Sequence, residues 1–250
     1  MKLLKKLYDK NQLAFTITWI IAYVFLMSLG DKISALIGFE KIVTVFIGLL
    51  LSLTLILFFK RNNLFETYGL CKPNIHPKKF LYYIPCAIIV TINIWFGVTL
   101  NYTPIETVLY IITMFSVGLL EEIIFRGLLF NTMKKDNLKI AILVSSLTFG
   151  IGHIVNLFNG SGAELLPNIL QVIYATSAGF VFVMLYHKSN SLIICILVHA
   201  IFNSLSAFGV EYDSVELQIL TAGILTIITG GYAIYLSKIK ISENDLIKNV

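Results

Sequence analysis

The chain has 250 residues, of which 57% are apolar and 13% charged, with a formal net charge of +5. Soluble domains carry about 25% charged residues, so a mean hydropathy of +0.85 excludes an ordinary water-soluble globule. The basic balance calls for no nucleic-acid partner, because Lys and Arg gather on the cytoplasmic side of membrane proteins. About 20 apolar residues span a bilayer, and eight candidate spans occur, at roughly 13–30, 42–59, 80–100, 105–133, 138–158, 165–187, 190–208 and 216–237. The first follows the basic opening Met1-Lys-Leu-Leu-Lys-Lys6. It is long for a signal-peptide core and lacks a small-x-small cleavage site, so it reads as a retained span. Period-two alternation is absent and the runs exceed the length of barrel strands. The sequence therefore predicts an all-α, polytopic transmembrane helical bundle of about eight spans, with backbone hydrogen bonds satisfied inside each span. No repeat or linker divides it, so residues 1–250 form a single integral membrane domain in contact with the lipid bilayer.

Charge tests this reading. With the N-terminus in the cytoplasm, 17 of the 19 basic residues fall on one side, leaving Lys32 and Lys41 opposite. The cytoplasmic set includes Lys2, Lys60, Lys78, Arg126, Lys135, Lys188 and Lys248, whereas the far loops carry Glu106, Glu164, Glu211, Asp213 and Glu216. The positive-inside rule then places both termini in the cytoplasm. Ala175-Thr-Ser-Ala-Gly179 and Gly230-Gly231 are small enough for close helix contact. Cys71, Cys86 and Cys195 show no metal-ligand spacing and predict no disulfide.

Chemistry concentrates in the later spans. Residues 118–127 read Gly-Leu-Leu-Glu121-Glu122-Ile-Ile-Phe-Arg126-Gly. Each intramembrane charge costs about 2.5–3.5 kcal/mol on the insertion scale. Glu122 and Arg126 are four apart and can pair on one helical face. Glu121 points about 100° away and is left without that partner. His153 follows Phe149 by four residues, and Asn203 follows His199 by four, so each pair shares a face. His76 and His187 fall in predicted loops. At about 1.5 Å per residue, Glu121, His153 and His199 lie roughly 13–21 Å from the cytoplasmic ends of their spans, so they can meet inside the membrane. An apolar pocket suits a carboxylate to general-base work on water, with an imidazole to help. An amide NH2 and an imidazole N–H can stabilise an oxyanion. A zinc reading stays open, because Glu121, His153 and His199 could form a His2Glu site with a free position, although no H-E-x-x-H occurs.

The three motifs, Glu121-Glu122-x-x-x-Arg126, Phe149-x-x-x-His153 and His199-x-x-x-Asn203, together resemble those of the CPBP family, the CAAX-protease and bacteriocin-processing membrane proteins also called Abi. The resemblance covers residues 105–208, the catalytic motif core. Tyr68-Gly-Leu-Cys-Lys-Pro73 also looks like a loop of such proteins. The resemblance implies an intramembrane endopeptidase that cleaves a membrane-associated peptide or protein without a cofactor. Glu121 would activate water with His153, His199 and Asn203 would form the oxyanion hole, and Glu122, Arg126 and Phe149 would support them. It also implies peptide maturation or bacteriocin self-immunity, and a short chain rich in Ile, Lys and Asn without targeting signals reads as a protein of a bacterial plasma membrane. Two other classes compete: a non-catalytic immunity or regulatory scaffold, and a proton-coupled transporter, since buried Glu and His also build proton relays. No internal repeat or paired broken helices support the transporter.

Overall fold

The computed structural model describes residues 1–81, 84–159, 162–210, 214–242 and 245–247. Glu211, Asp213 and Lys248 of the charge argument lie outside these residues. Among the described residues there are no strands, only two isolated bridges, and the architecture is helical. Six helices are long and apolar enough to cross a membrane: α2 (Gln12–Ile37), α3 (Thr44–Arg61), α5 (Pro104–Met133), α6 (Leu138–Leu157), α7 (Leu165–Ser189) and α9 (Val215–Lys238). Two shorter apolar helices, α4 (Pro85–Ile94) and α8 (Ile193–Phe208), complete the expected eight. A further α-helix, α1 (Lys2–Lys10), precedes the spans.

Local chemistry sets the ends. Asn11, Asn137 and Ser214 accept backbone N–H groups at the starts of α2, α6 and α9. Thr103 and Glu106 form a reciprocal capping box on α5, with Pro104 at its first position. The third expected span, 80–100, is instead a short helix. Pro85 starts α4, because a residue without an N–H fits only a helix's first turn, and Gly97 bends away at φ 133°. At about 1.5 Å per residue α4 covers roughly 15 Å, half a hydrocarbon core. The first span runs past the expected end near Gly30 and stops at Gly38, whose φ of 74° caps it. Gly30 is small for another reason: a Cβ there would come within 3.0 Å of the Thr44 backbone on α3.

Many large apolar side chains face outward, among them Phe25, Leu36, Phe46 and Ile227, as a lipid-facing surface requires. Close packing inside comes from small residues. A Cβ on Gly118 of α5 would lie 2.9 Å from the Ala200 backbone on α8, and one on Gly179 of α7 would lie 3.0 Å from Ser146 on α6. Gly150 of α6 meets Thr176 in the same way. The expected 175–179 contact is therefore with α6 through Thr176 and Gly179, and with α9 through Ser177. Of the glycine pair on α9, Gly230 approaches Ser177 at 3.5 Å and Gly231 faces open space, so the second is not a contact.

The two ends of the bundle differ. At the basic end, the 62–73 loop folds inward. Gly69 packs against the Tyr186 ring, Leu192 N donates to Gly69 O at 2.7 Å, and Asn131 Nδ2 donates to both Thr67 O and Tyr186 Oη at 2.7 Å. Tyr8 of α1 meets Tyr68 hydroxyl to hydroxyl at 2.8 Å. Tyr68, Phe130, Tyr186 and Leu192 are all buried. The opposite end holds a cavity.

Candidate active site

Helix α5 changes winding where its charges begin. Residues Glu122–Phe130 adopt a π-helical turn, all nine of them buried. Insertions of this kind recur at functional sites. The wider turn brings residues four apart more nearly into register, and Arg126 Nη1 donates to Glu122 Oε1 at 2.9 Å with neither side chain exposed. The expected pair is therefore formed, but inside the bundle, so Arg126 is not one of the basic residues of the loops. Its guanidinium lies between two rings, 3.9 Å from the centroid of Phe149 and 5.3 Å from that of Phe182. Those rings supply cation–π attraction where Nε and Nη2 have no hydrogen-bond partner.

Glu122 holds a second group. His199 Nδ1 lies 2.9 Å from the same Oε1. A carboxylate only accepts, so Nδ1 carries the proton. The other ring nitrogen, Nε2, lies 3.6 Å from Glu121 Oε2. Phe182 stacks on the His199 ring at 5.7 Å and Phe149 meets its edge at 5.6 Å. Charge and rings together hold the imidazole with Nε2 turned toward Glu121.

Glu121 faces differently from its neighbour. Its side chain is 13% exposed, against none for Glu122. The partner that the sequence left unassigned is Tyr23 of α2, whose hydroxyl donates to Glu121 Oε1 at 2.5 Å. Oε2 has no hydrogen-bond partner, His199 Nε2 standing 3.6 Å away. His153 Nδ1 donates to the Phe149 carbonyl at 3.0 Å, so in the neutral ring Nε2 is a bare acceptor. Asn168 Nδ2 pins the His153 backbone carbonyl at 2.9 Å. Phe149 meets the His153 ring edge-on at 5.2 Å. Its ring thus contacts Arg126 and both histidines.

Glu121, Phe149, His153, His199 and Asn203 all line one cavity of about 360 Å³. Glu122 and Arg126 do not line it and stand behind it. Sequence reasoning missed Tyr23 and Phe182, because aromatic residues in apolar spans carry no signal that separates a site partner from packing. Among the described residues, no group of three His, Cys, Asp or Glu side chains is gathered as a bound metal would require.

No curated protein and no solved structure matches the chain. A family model does: residues 103–205 match the Rce1-like family, described as type II CAAX prenyl endopeptidase Rce1-like. The match runs from the capping box of α5 through α8 and contains the three motifs that line or brace the cavity. Residues 103–205 are therefore similar to the Rce1-like family of type II CAAX prenyl endopeptidases, and they lie within a multi-pass helical bundle.

Proposed function

We propose that the chain is an intramembrane endopeptidase that hydrolyses a membrane-associated peptide or protein with Glu121 as general base. One observation carries this reading: a partly exposed carboxylate, two imidazoles and an amide surround one cavity inside an apolar bundle. Water held against the unpartnered Glu121 Oε2 would lose its proton as it attacks the scissile carbonyl. His153 Nε2, bare in the neutral ring, would orient that water. The Asn203 amide, with His199 Nε2 when the ring is protonated, would donate to the oxyanion. Tyr23 holds the base, and Glu122, Arg126 and Phe149 hold the histidines. Peptide maturation or self-immunity against a bacteriocin, in a bacterial plasma membrane with both termini cytoplasmic, suits such a site. Glu121→Gln keeps size and hydrogen bonding but cannot take the proton, so cleavage of a peptide by detergent-purified protein should fall about 10²–10⁴-fold. Undiminished cleavage would refute the assignment.

One observation favours a second reading. A carboxylate bound to one histidine nitrogen is also how metal-ligating imidazoles are oriented, and Glu122 holds His199 in this way. In that case a chelator abolishes activity and zinc restores it, with His153→Ala and His199→Ala each losing bound metal. Activity indifferent to chelation leaves the metal-free mechanism.

A further inference from the structure

We propose that the cavity takes its substrate from the extracytoplasmic face, so that the scissile segment belongs to a peptide presented outside the cytoplasm or in the outer leaflet. Naming the segment as substrate rests on the proteolytic reading; the side of the opening does not, because it follows from charge and geometry.

Two observations meet here. The first is the charge asymmetry. Once Arg126 is placed in the interior, Lys32 and Lys41 remain the only basic residues of the sequence assigned to the far side, and Lys41 is paired there with Asp31 at 2.8 Å and Glu40 at 3.3 Å. Lys and Arg placement sets orientation, whereas acidic residues contribute little. The second is where the cavity leads. Its lining runs from Glu121 and His199 to Asp31, Lys41, Asn93 and Asn159. All four of these lie near the ends of α2, α4 and α6 away from the basic loops, or in the turns that follow. Among the described residues, none of the 62–81 loop, the 134–137 turn or the 190–192 turn lines it.

The basic end is shut instead. Between Glu121 and that surface lies the fully buried π-turn. Beneath it is the floor made by Tyr68, Asn131, Tyr186 and Leu192. Opening this route would break a hydrogen-bonded, close-packed layer. The far route follows the cavity itself. From Tyr23, at the level of Glu121, to Asp31 is eight residues of helix, about 12 Å. An extended peptide advances about 3.3 Å per residue. Roughly four residues of free strand therefore reach the carboxylate from the mouth.

The test uses cysteine accessibility in intact cells. Cys71 is replaced by Ser, and Cys86 and Cys195 stay because they are buried. Ser28→Cys then places a thiol on the cavity wall between Tyr23 and Asp31, and Asp136→Cys places one on the exposed turn at the basic end. A membrane-impermeant maleimide should label Ser28→Cys equally before and after permeabilisation, and Asp136→Cys only after it. Loss of Ser28→Cys labelling in intact cells overturns the proposal, whether the thiol reacts after permeabilisation or not at all. A second arm compares sealed right-side-out and everted vesicles given an impermeant quenched-fluorescent peptide. Cleavage by right-side-out vesicles alone is expected, and cleavage by everted vesicles overturns the proposal. Undiminished activity of Glu121→Gln would remove the assigned base and leave the labelling result standing.

Discussion

Replacing Arg126 by Ala removes one partner of a fully buried ion pair. Arg126 and Glu122 are both wholly inaccessible, 2.9 Å apart, and the remaining Glu122 would keep only His199. Removing one member of a buried pair costs about 3–5 kcal/mol, because a charge is left uncompensated in low dielectric. The guanidinium also sits 3.9 Å from the Phe149 centroid, and loss of that attraction adds about 0.5–2 kcal/mol. For a chain of this size each kcal/mol moves the melting temperature by about 2–4 °C. The variant should therefore melt roughly 7–28 °C lower in detergent and accumulate poorly. The informative variant is the double one. Arg126→Met with Glu122→Gln removes both charges and keeps most of the volume and an acceptor for His199. Replacing a buried pair by neutral groups is often tolerated, so the double variant should regain most of the stability lost by Arg126→Ala or Arg126→Met alone. A thermal unfolding cycle over wild type, the two singles and the double measures the coupling. Strictly additive losses, or an Arg126→Ala protein as stable as wild type, would refute the argument that Arg126 compensates the buried charge of Glu122. Activity gives an independent reading, because a stable double variant keeps Glu121 but loses the charge that orients His199, and its turnover should remain depressed.

Tyr23→Phe removes the donor at 2.5 Å from Glu121; a hydrogen bond to a charged group contributes about 1.5–3 kcal/mol, so turnover should fall about ten- to a hundredfold with a displaced pH profile, and unchanged kcat would exclude a positioning role. Asn203→Ala should lower kcat by about 10²–10³-fold if the amide serves the oxyanion, with KM changing less; an effect confined to KM would make it a binding residue. At the basic surface, Ser242 side-chain and backbone donors, then Lys79, hold the Asp245 carboxyl down at about 2. A depressed carboxylate contributes stability that is complete above its unfolded value, about 3.9, and is lost as pH falls through its folded one. Docking of the C-terminal segment on residues 74–79 should thus loosen between about pH 4 and pH 2. Hydrogen exchange at Ile247 N, which donates to Asn74 O at 2.9 Å, measures it, and protection independent of pH across that window would contradict the assignment.

The spans were legible because a bilayer imposes one requirement on every residue of a run. The ends of α3, α5, α6, α7 and α9 fall close to where the apolar runs stop. Reading failed where two meanings share one residue type. Gly30 followed by Asp31 and Lys32 looks like a helix end, yet α2 continues because the glycine admits α3. The basic opening segment looks like a tail, yet it is helical and buries Tyr8 against Tyr68, its apolar face formed by too few residues to stand out among lysines. In the site, the Glu122 and Arg126 spacing announces its pairing, since four residues suit any helical turn. The π-winding that follows Glu121 does not, because it leaves composition and periodicity unchanged. Acids on the far side proved to have local duties: Glu106 completes the cap of α5, and Glu216, in the first turn of α9, accepts from Ser214, both where the helix dipole favours them. That explains their side without invoking topology, and leaves Lys and Arg to carry the orientation.

The hardest feature to read is how α8 can end where it does. A helix that stops inside an apolar bundle leaves its last carbonyls unpaired, each costing several kcal/mol in lipid. Here the chain after α4 supplies the missing donors. Asn93 Nδ2 donates to Phe202 O at 2.7 Å, and Asn101 Nδ2 to Ser206 O at 3.2 Å and Gly209 O at 2.8 Å. The backbone N–H groups of Asn101 and Thr99 take Ala207 O and Phe208 O. The 93–101 segment is therefore a cap for the helix that carries His199 and Asn203, and α4 is short because its continuation is spent on that cap. This couples two things that look separate in sequence, a broken third span and a precise pair of polar side chains on the seventh. Because α4 stops early, Asn93 also reaches the cavity wall, so the broken span that ties down the helix of His199 and Asn203 contributes a polar residue to the cavity that Glu121 lines.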